Sequence, residues 1–112
     1  MTRCEVWWAE LPRPVGRRPV VLLSRDEAYA VRDLVTIAPV TTRIRGIPTE
    51  VSLDAADGLA KKCVANLDTI ATIPKRVLSE RISKLSPAKI RAMDQAIRFA
   101  LGLSDSNGPL GP

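Results

Sequence analysis

The chain is dominated by a succession of short, β-branched apolar runs separated by proline, glycine and charged turns, and closed by a single helical stripe. Glu5 to Leu11 alternates loosely around Val6, Trp7, Trp8 and Ala9, which predicts a first strand. Pro12-Arg13-Pro14-Val15-Gly16 breaks it into a turn. Val20-Val21-Leu22-Leu23 is apolar without alternation and predicts a strand buried on both faces. Pro19 is placed at its first position, where a missing N–H is tolerated. Arg25 to Asp33 is charged and reads as a short helical turn or loop, and Leu34 to Val40 as a third strand ending near Thr41-Thr42. A basic loop, Arg43 to Pro48, leads to a fourth strand over Thr49 to Leu53 and a polar turn over Asp54 to Gly58. Lys62 to Ala65, Thr69 to Ile73 (ended by Pro74) and Val77 to Leu85 are further short strands.

The last element is helical. Ser86 is a good N-cap, Pro87 suits the first helical position, and Ile90, Met93, Ile97 and Leu101 recur at spacings of three and four. Asp94 and Arg98 stand at i,i+4 as an exposed pair, and Gly102 ends the helix. Strand after strand followed by one helix predicts a mainly β fold with a C-terminal α-helix, a small closed or partly closed β-barrel with the helix packed on it. At 112 residues there is material for one core, so residues 1–103 are expected to be a single domain whose apolar surface a partner subunit completes. Residues 104–112 lack core-forming residues other than Leu110 and are expected to be a disordered or vector-derived tail.

Composition narrows the chemistry. A net charge of +5 and a pI near 9.8 favour an anionic partner such as RNA. No apolar leader or membrane-length run is present, so a cytoplasmic protein without membrane contact is expected, with Cys4 and Cys63 reduced. The chain has no histidine. Two distant cysteines and scattered carboxylates are poor material for zinc, so neither metal nor cofactor is expected. Catalysis would fall to Arg, Lys, carboxylates, hydroxyls or thiols.

Four segments, in order, resemble the MazF/PemK (Kid-like) toxins of bacterial toxin–antitoxin pairs. They are Glu5-Val6-Trp7-Trp8-Ala9-Glu10-Leu11; Gly16-Arg17-Arg18-Pro19 with the aliphatic run after it; Ala38-Pro39-Val40-Thr41-Thr42 with Ile47-Pro48-Thr49-Glu50-Val51; and Asp68-Thr69-Ile70-Ala71-Thr72-Ile73. Together they span roughly residues 4 to 101. The resemblance implies an SH3-like barrel of the MazF/CcdB type, a homodimer with an RNA groove, and an antitoxin segment that covers the groove. It implies an endoribonuclease in which a ribose 2′-OH attacks its own 3′-phosphate, leaving a 2′,3′-cyclic phosphate and a 5′-OH. The catalytic arginine falls on Arg18 and the catalytic hydroxyl on Thr41. RNA contacts are expected from Arg13, Arg17, Thr42, Arg43, Arg45, Asp68 and Thr69.

Such chemistry needs no histidine, because RNA supplies its own nucleophile. A guanidinium stays protonated and binds two phosphate oxygens at once, so Arg18 is assigned to charge stabilisation and proton donation rather than to the base, which stays unassigned. Two departures stand out. The loop before Arg18 is shortened and lacks the glutamate usual in relatives, whose role would pass to Glu10 or be lost. Thr69 stands where glutamine is usual, so base recognition there is expected to differ. Trp7 and Trp8 are adjacent on a strand and point to opposite faces, one into the core and the other under the terminal helix or against a base. The antitoxin is expected to present an acidic, partly disordered segment. The competing readings are a CcdB-like DNA gyrase poison, which shares the barrel and dimer, and an RNA-binding barrel without turnover.

Overall fold

Val20, Val21 and Leu22 are completely buried in succession, and they serve two cores. Val21 packs with Val6, Ala38, Val40 and Met93 on one face of the sheet. Val20 and Leu22 pack with Ala9, Val35, Ile37 and Ile73 on the other. Side chains alternate along a strand, so a strand with protein on both sides reads as an unbroken apolar run.

The computed structural model describes residues 1–103. The tail expected over 104–112 lies outside the described residues. Among the described residues there are seven strands and two α-helices: β1 (Glu5–Glu10), β2 (Arg17–Leu22), α1 (Ala28–Val31), β3 (Leu34–Thr41), β4 (Glu50–Leu53), β5 (Cys63–Asn66), β6 (Ala71–Pro74), β7 (Leu78–Lys84) and α2 (Pro87–Leu101). All pairings are antiparallel, in the order β4-β5-β3-β2-β1-β7, with β6 added alongside β3. β3 is long enough to be shared. Its first half, Leu34 to Ile37, pairs β6, and its end, Val40 and Thr41, pairs β5.

Among the described residues β4 and β7 share no ladder, so the barrel is partly open. The turn after β4 bridges the gap: Ser83 Oγ on β7 donates to the Asp57 carbonyl (2.5 Å). The next residue, Gly58, has φ +89°, and a Cβ there would lie 3.0 Å from that of Ser83. Only glycine meets both conditions.

β2 begins at Arg17, so Pro19 is its third residue, not its first. The ladder to β3 starts only at Val20, opposite Pro39, and Pro19 therefore costs no hydrogen bond on that side. Thr69 lies in a 3-10 turn (Leu67–Thr69) ahead of β6, not in the strand. The turn forms because Asn66 Oδ1 accepts from the Asp68 N–H (2.9 Å).

α2 starts and ends where its caps predict. Ser86 Oγ accepts from the Lys89 N–H, and Gly102 takes a left-handed conformation. Met93 and Ala96 are its buried residues, with Ile90 and Ile97 partly buried beside them. Leu101, in the predicted stripe, is 59% exposed. Asp94 pairs with Arg3 (2.7 Å) rather than Arg98, since the chain ahead of β1 lies against this helix. Cys4 and Cys63 are free and buried.

Tyr29 of α1 closes the second core and donates its hydroxyl to the Ser24 carbonyl (2.9 Å). Burial pushes its phenol up to about 12. A group that holds its proton more tightly when folded stabilises fully below its unfolded pKa of about 10. That stability is expected to drain as pH rises from about 10 to about 12, and denaturant unfolding at stepped alkaline pH, with Tyr29→Phe as the flat control, measures it.

Candidate active site

The β2–β3 register brings the two expected catalytic residues together. Val20 faces Pro39, so continuing two residues outward on each strand sets Arg18 beside Thr41 on the same face. Both line a cavity of about 380 Å³ whose other walls include Arg43, Arg45, Asn66 and Thr69. It opens above the second core, with Ile37 and Ile73 in its floor.

The electrostatics of this cavity are one-sided. Among the described residues the guanidinium groups of Arg18, Arg43 and Arg45 make no ion pair and no side-chain hydrogen bond, and no carboxylate lines the cavity. Other arginines are neutralised locally, Arg3 by Asp94 and Arg81 by Glu5. Three free guanidiniums around one concavity form a site for an anion.

The loop that carries Arg43 and Arg45 is held by its backbone. Glu50 Oε1 accepts from the N–H groups of Arg45 (3.0 Å) and Gly46 (2.9 Å). Thr41 Oγ1 accepts from the Arg43 N–H (3.1 Å). The Thr41 hydroxyl is thus used as an acceptor, and its own proton remains available for donation into the cavity. Glu50→Ala is expected to free the loop and raise KM for an RNA substrate about tenfold with a smaller change in kcat, since charge-assisted hydrogen bonds are each worth about 1.5–3 kcal/mol. Glu50→Gln, which keeps an acceptor oxygen, should recover most of the loss in steady-state assays.

Several residues expected at the RNA groove lie elsewhere. Arg17 is adjacent to Arg18 on a strand and so faces the other way. Its guanidinium pairs with Glu10 (3.0 Å) and Glu80 (3.2 Å) and stacks over Trp8 at 4.4 Å. Glu10, suggested as heir to the missing loop glutamate, is committed to that pair and to Ser79, outside the cavity. Asp68 accepts from the Thr49 hydroxyl (2.6 Å) and secures the approach to β4. Arg13 is exposed in the β1–β2 turn and lines no wall of this cavity. Thr42 lines a neighbouring cavity instead. Neither tryptophan lies under α2: Trp7 packs on the second core, and Trp8 sits beneath Arg17. Asn66 and Glu50 were not singled out from the sequence as site residues. An asparagine at the end of one strand and a glutamate at the start of another carry no signal that separates them from ordinary turn chemistry. Burial raises both thiols, Cys4 and Cys63, which disfavours the nucleophilic thiolate.

The family model for the PemK-like, MazF-like toxins of type II toxin–antitoxin systems matches residues 2–101. The chain belongs to the PemK/MazF toxin family. "Probable endoribonuclease MazF5" of Mycobacterium tuberculosis (strain H37Rv) is 39% identical over 103 residues, covering 91% of this chain and 94% of the relative. The endoribonuclease MazF3 of the same species is 38% identical over 86 residues, 77% and 84% of the two chains. Among solved structures, the M. tuberculosis toxin MazF-mt6 superposes with a TM-score of 0.83 at 35% identity, covering 89% of this chain and 98% of that one. A mycobacterial endoribonuclease solved in complex with its cognate antitoxin gives 0.81 at 27% identity, covering 93% and 97%. The chain is thus a toxin of a toxin–antitoxin system whose curated relatives are named RNA-cleaving enzymes. Its partly open β sheet with a C-terminal helix is the fold of that PemK/MazF family.

Proposed function

We propose that this toxin cleaves single-stranded RNA by attack of a ribose 2′-OH on the adjacent phosphorus, with expulsion of the 5′-oxygen. The bond formed is 2′-O–P and the bond broken is P–O5′, so the products carry a 2′,3′-cyclic phosphate and a 5′-OH. The observation that carries the reading is the pairing of Arg18 and Thr41 in one cavity with Arg43 and Arg45. Arg18 binds the non-bridging oxygens as charge builds on them. Thr41 donates its free hydroxyl proton to the same phosphate. Arg43 and Arg45 hold flanking phosphates, and Thr69 with Asn66 faces the bases. The cavity supplies donors and positive charge but no carboxylate, so its contribution is transition-state stabilisation rather than proton abstraction.

The direct test is incubation with single-stranded RNA in EDTA, followed by end analysis. Cleavage with 5′-OH and cyclic phosphate ends is expected; no cutting in EDTA, or 5′-phosphate ends, would sink the proposal. Binding should also depend on salt. Three phosphate contacts on a single strand give a slope of log affinity against log salt near −2, and Arg43→Ala should reduce it by about 0.7. An unchanged slope would remove Arg43 from the phosphate path.

The partners follow from the same surface. We assign the toxin to the cytoplasm, as a homodimer, with an antitoxin whose acidic, partly disordered segment lies on the cationic cavity. Phe99, Leu101 and Leu103 are exposed at the end of α2, and a second copy would cover this apolar end. No helix among the described residues is long and apolar enough to cross a membrane. A gyrase poison of the CcdB type would need neither Arg18 nor Thr41 as a pair, and gyrase inhibition that survives Arg18→Ala would favour it.

A further inference from the structure

Thr41 borders a second cavity as well, about 330 Å³, walled by Trp8, Pro19, Leu59, Cys63 and Ile82, with the exposed Thr42 and Lys61 at its mouth. Its volume is at the lower end of small-ligand pockets. Where the Arg18 cavity is cationic, this one is apolar, with a single cation, Lys61. The ring of Trp8 is fixed before any ligand arrives. Arg17 stacks over it at 4.4 Å and is itself held by Glu10 and Glu80. The two indole N–H groups differ. That of Trp7 donates to Glu5 (2.8 Å), whereas that of Trp8 has no partner among the described residues. No buried side-chain polar atom goes unbonded among them, so the Trp8 donor is open to solvent.

We propose that this cavity is a nucleobase subsite, which takes the unpaired base of the nucleotide next to the phosphate held by Arg18 and Thr41. The inference rests on the RNA-cleavage reading. A flat aromatic wall, an unused ring donor and the hydroxyl of Thr42 suit a base, which offers a π-face and edge acceptors. The two cavities share Thr41 as a wall, so a strand that passes Thr41 on leaving the reacting phosphate meets this subsite. Arg17, Glu10 and Glu80 then act as positioning residues, holding the stacking platform rather than touching RNA.

The test uses an oligonucleotide of the mapped cleavage sequence, blocked by one 2′-deoxy sugar at the scissile position and carrying either a base or an abasic residue at the flanking nucleotide. With Trp7→Phe protein, Trp8 is the only tryptophan. Base-bearing RNA should quench its fluorescence and the abasic form should not. In binding, loss of the base should weaken the native protein roughly tenfold, the scale of one base–aromatic stack. Trp8→Ala should lose as much on the base-bearing RNA and nothing further on the abasic one, and Trp8→Phe should recover most of it. Equal quenching by both RNAs, or additive losses, would overturn the subsite. So would conversion of a dimer to a monomer by Trp8→Phe, which would make the cavity a subunit contact. If the native protein cuts no RNA, the parent reading fails. If it cuts in an Arg18-dependent way but the two losses add, only the subsite fails.

Discussion

Arg18→Ala is expected to lower kcat for RNA cleavage by two to three orders of magnitude, about 3–4 kcal/mol of transition-state stabilisation. The effect should be catalytic and not structural. The Arg18 side chain makes no hydrogen bond or ion pair among the described residues, and its strand neighbours Val20 to Leu22 supply the packing. Unfolding free energy should therefore move by no more than about 0.5 kcal/mol. Arg18→Lys restores a charge but not a planar fork, so it should recover only part of the rate. Rates and denaturant midpoints measured on the same preparations separate the two effects. A midpoint that falls with the rate would make Arg18 a structural residue.

The second large effect is expected at Thr41. Thr41→Val keeps the shape and removes the hydroxyl, which deletes the donor to phosphate and leaves the Arg43 N–H without its acceptor. A tenfold to hundredfold loss in kcat is expected, toward the lower end of what a preorganised donor is worth. Thr41→Ser should restore most of it, because its hydroxyl can take both roles. If Thr41→Val cuts at the native rate, phosphate donation comes from elsewhere in the cavity. Because no carboxylate lines the cavity, neither variant should shift an acid limb of the pH–rate profile.

What could be read from the sequence was what is decided locally. The caps Ser86 and Gly102, with Pro87 between them, set α2 to its observed ends. The unbroken run Val20 to Leu22 announced a strand with protein on both faces, and the two cores meet on it. Less legible was anything set by strand register or by partners distant in sequence. Arg17 and Arg18 look alike in sequence, yet alternation sends one to two carboxylates and the other into the cavity. Asp94 is an i,i+4 partner of Arg98 on paper, but Arg3, ninety-one positions away, takes it. Leu101 fits the apolar stripe, yet it is exposed in the single chain. Glu50 shows the same limit at the site. Its purpose is to hold the N–H groups of Arg45 and Gly46, a role that composition and periodicity do not mark.

The shortened loop before Arg18 implies that its acidic role is either lost or passed to Glu10. Glu10 binds Arg17 and Ser79, so the cavity keeps its positive charge undiluted. A cationic cavity without a carboxylate suits a substrate that brings its own nucleophile, and the 2′-OH of RNA is one. The most direct measurement replaces that hydroxyl alone. An oligonucleotide with a single 2′-deoxy sugar at the mapped scissile position should bind with unchanged affinity and remain uncut, while the same change one nucleotide away leaves cutting intact. Cleavage at the native rate with the scissile 2′-OH removed would contradict the account.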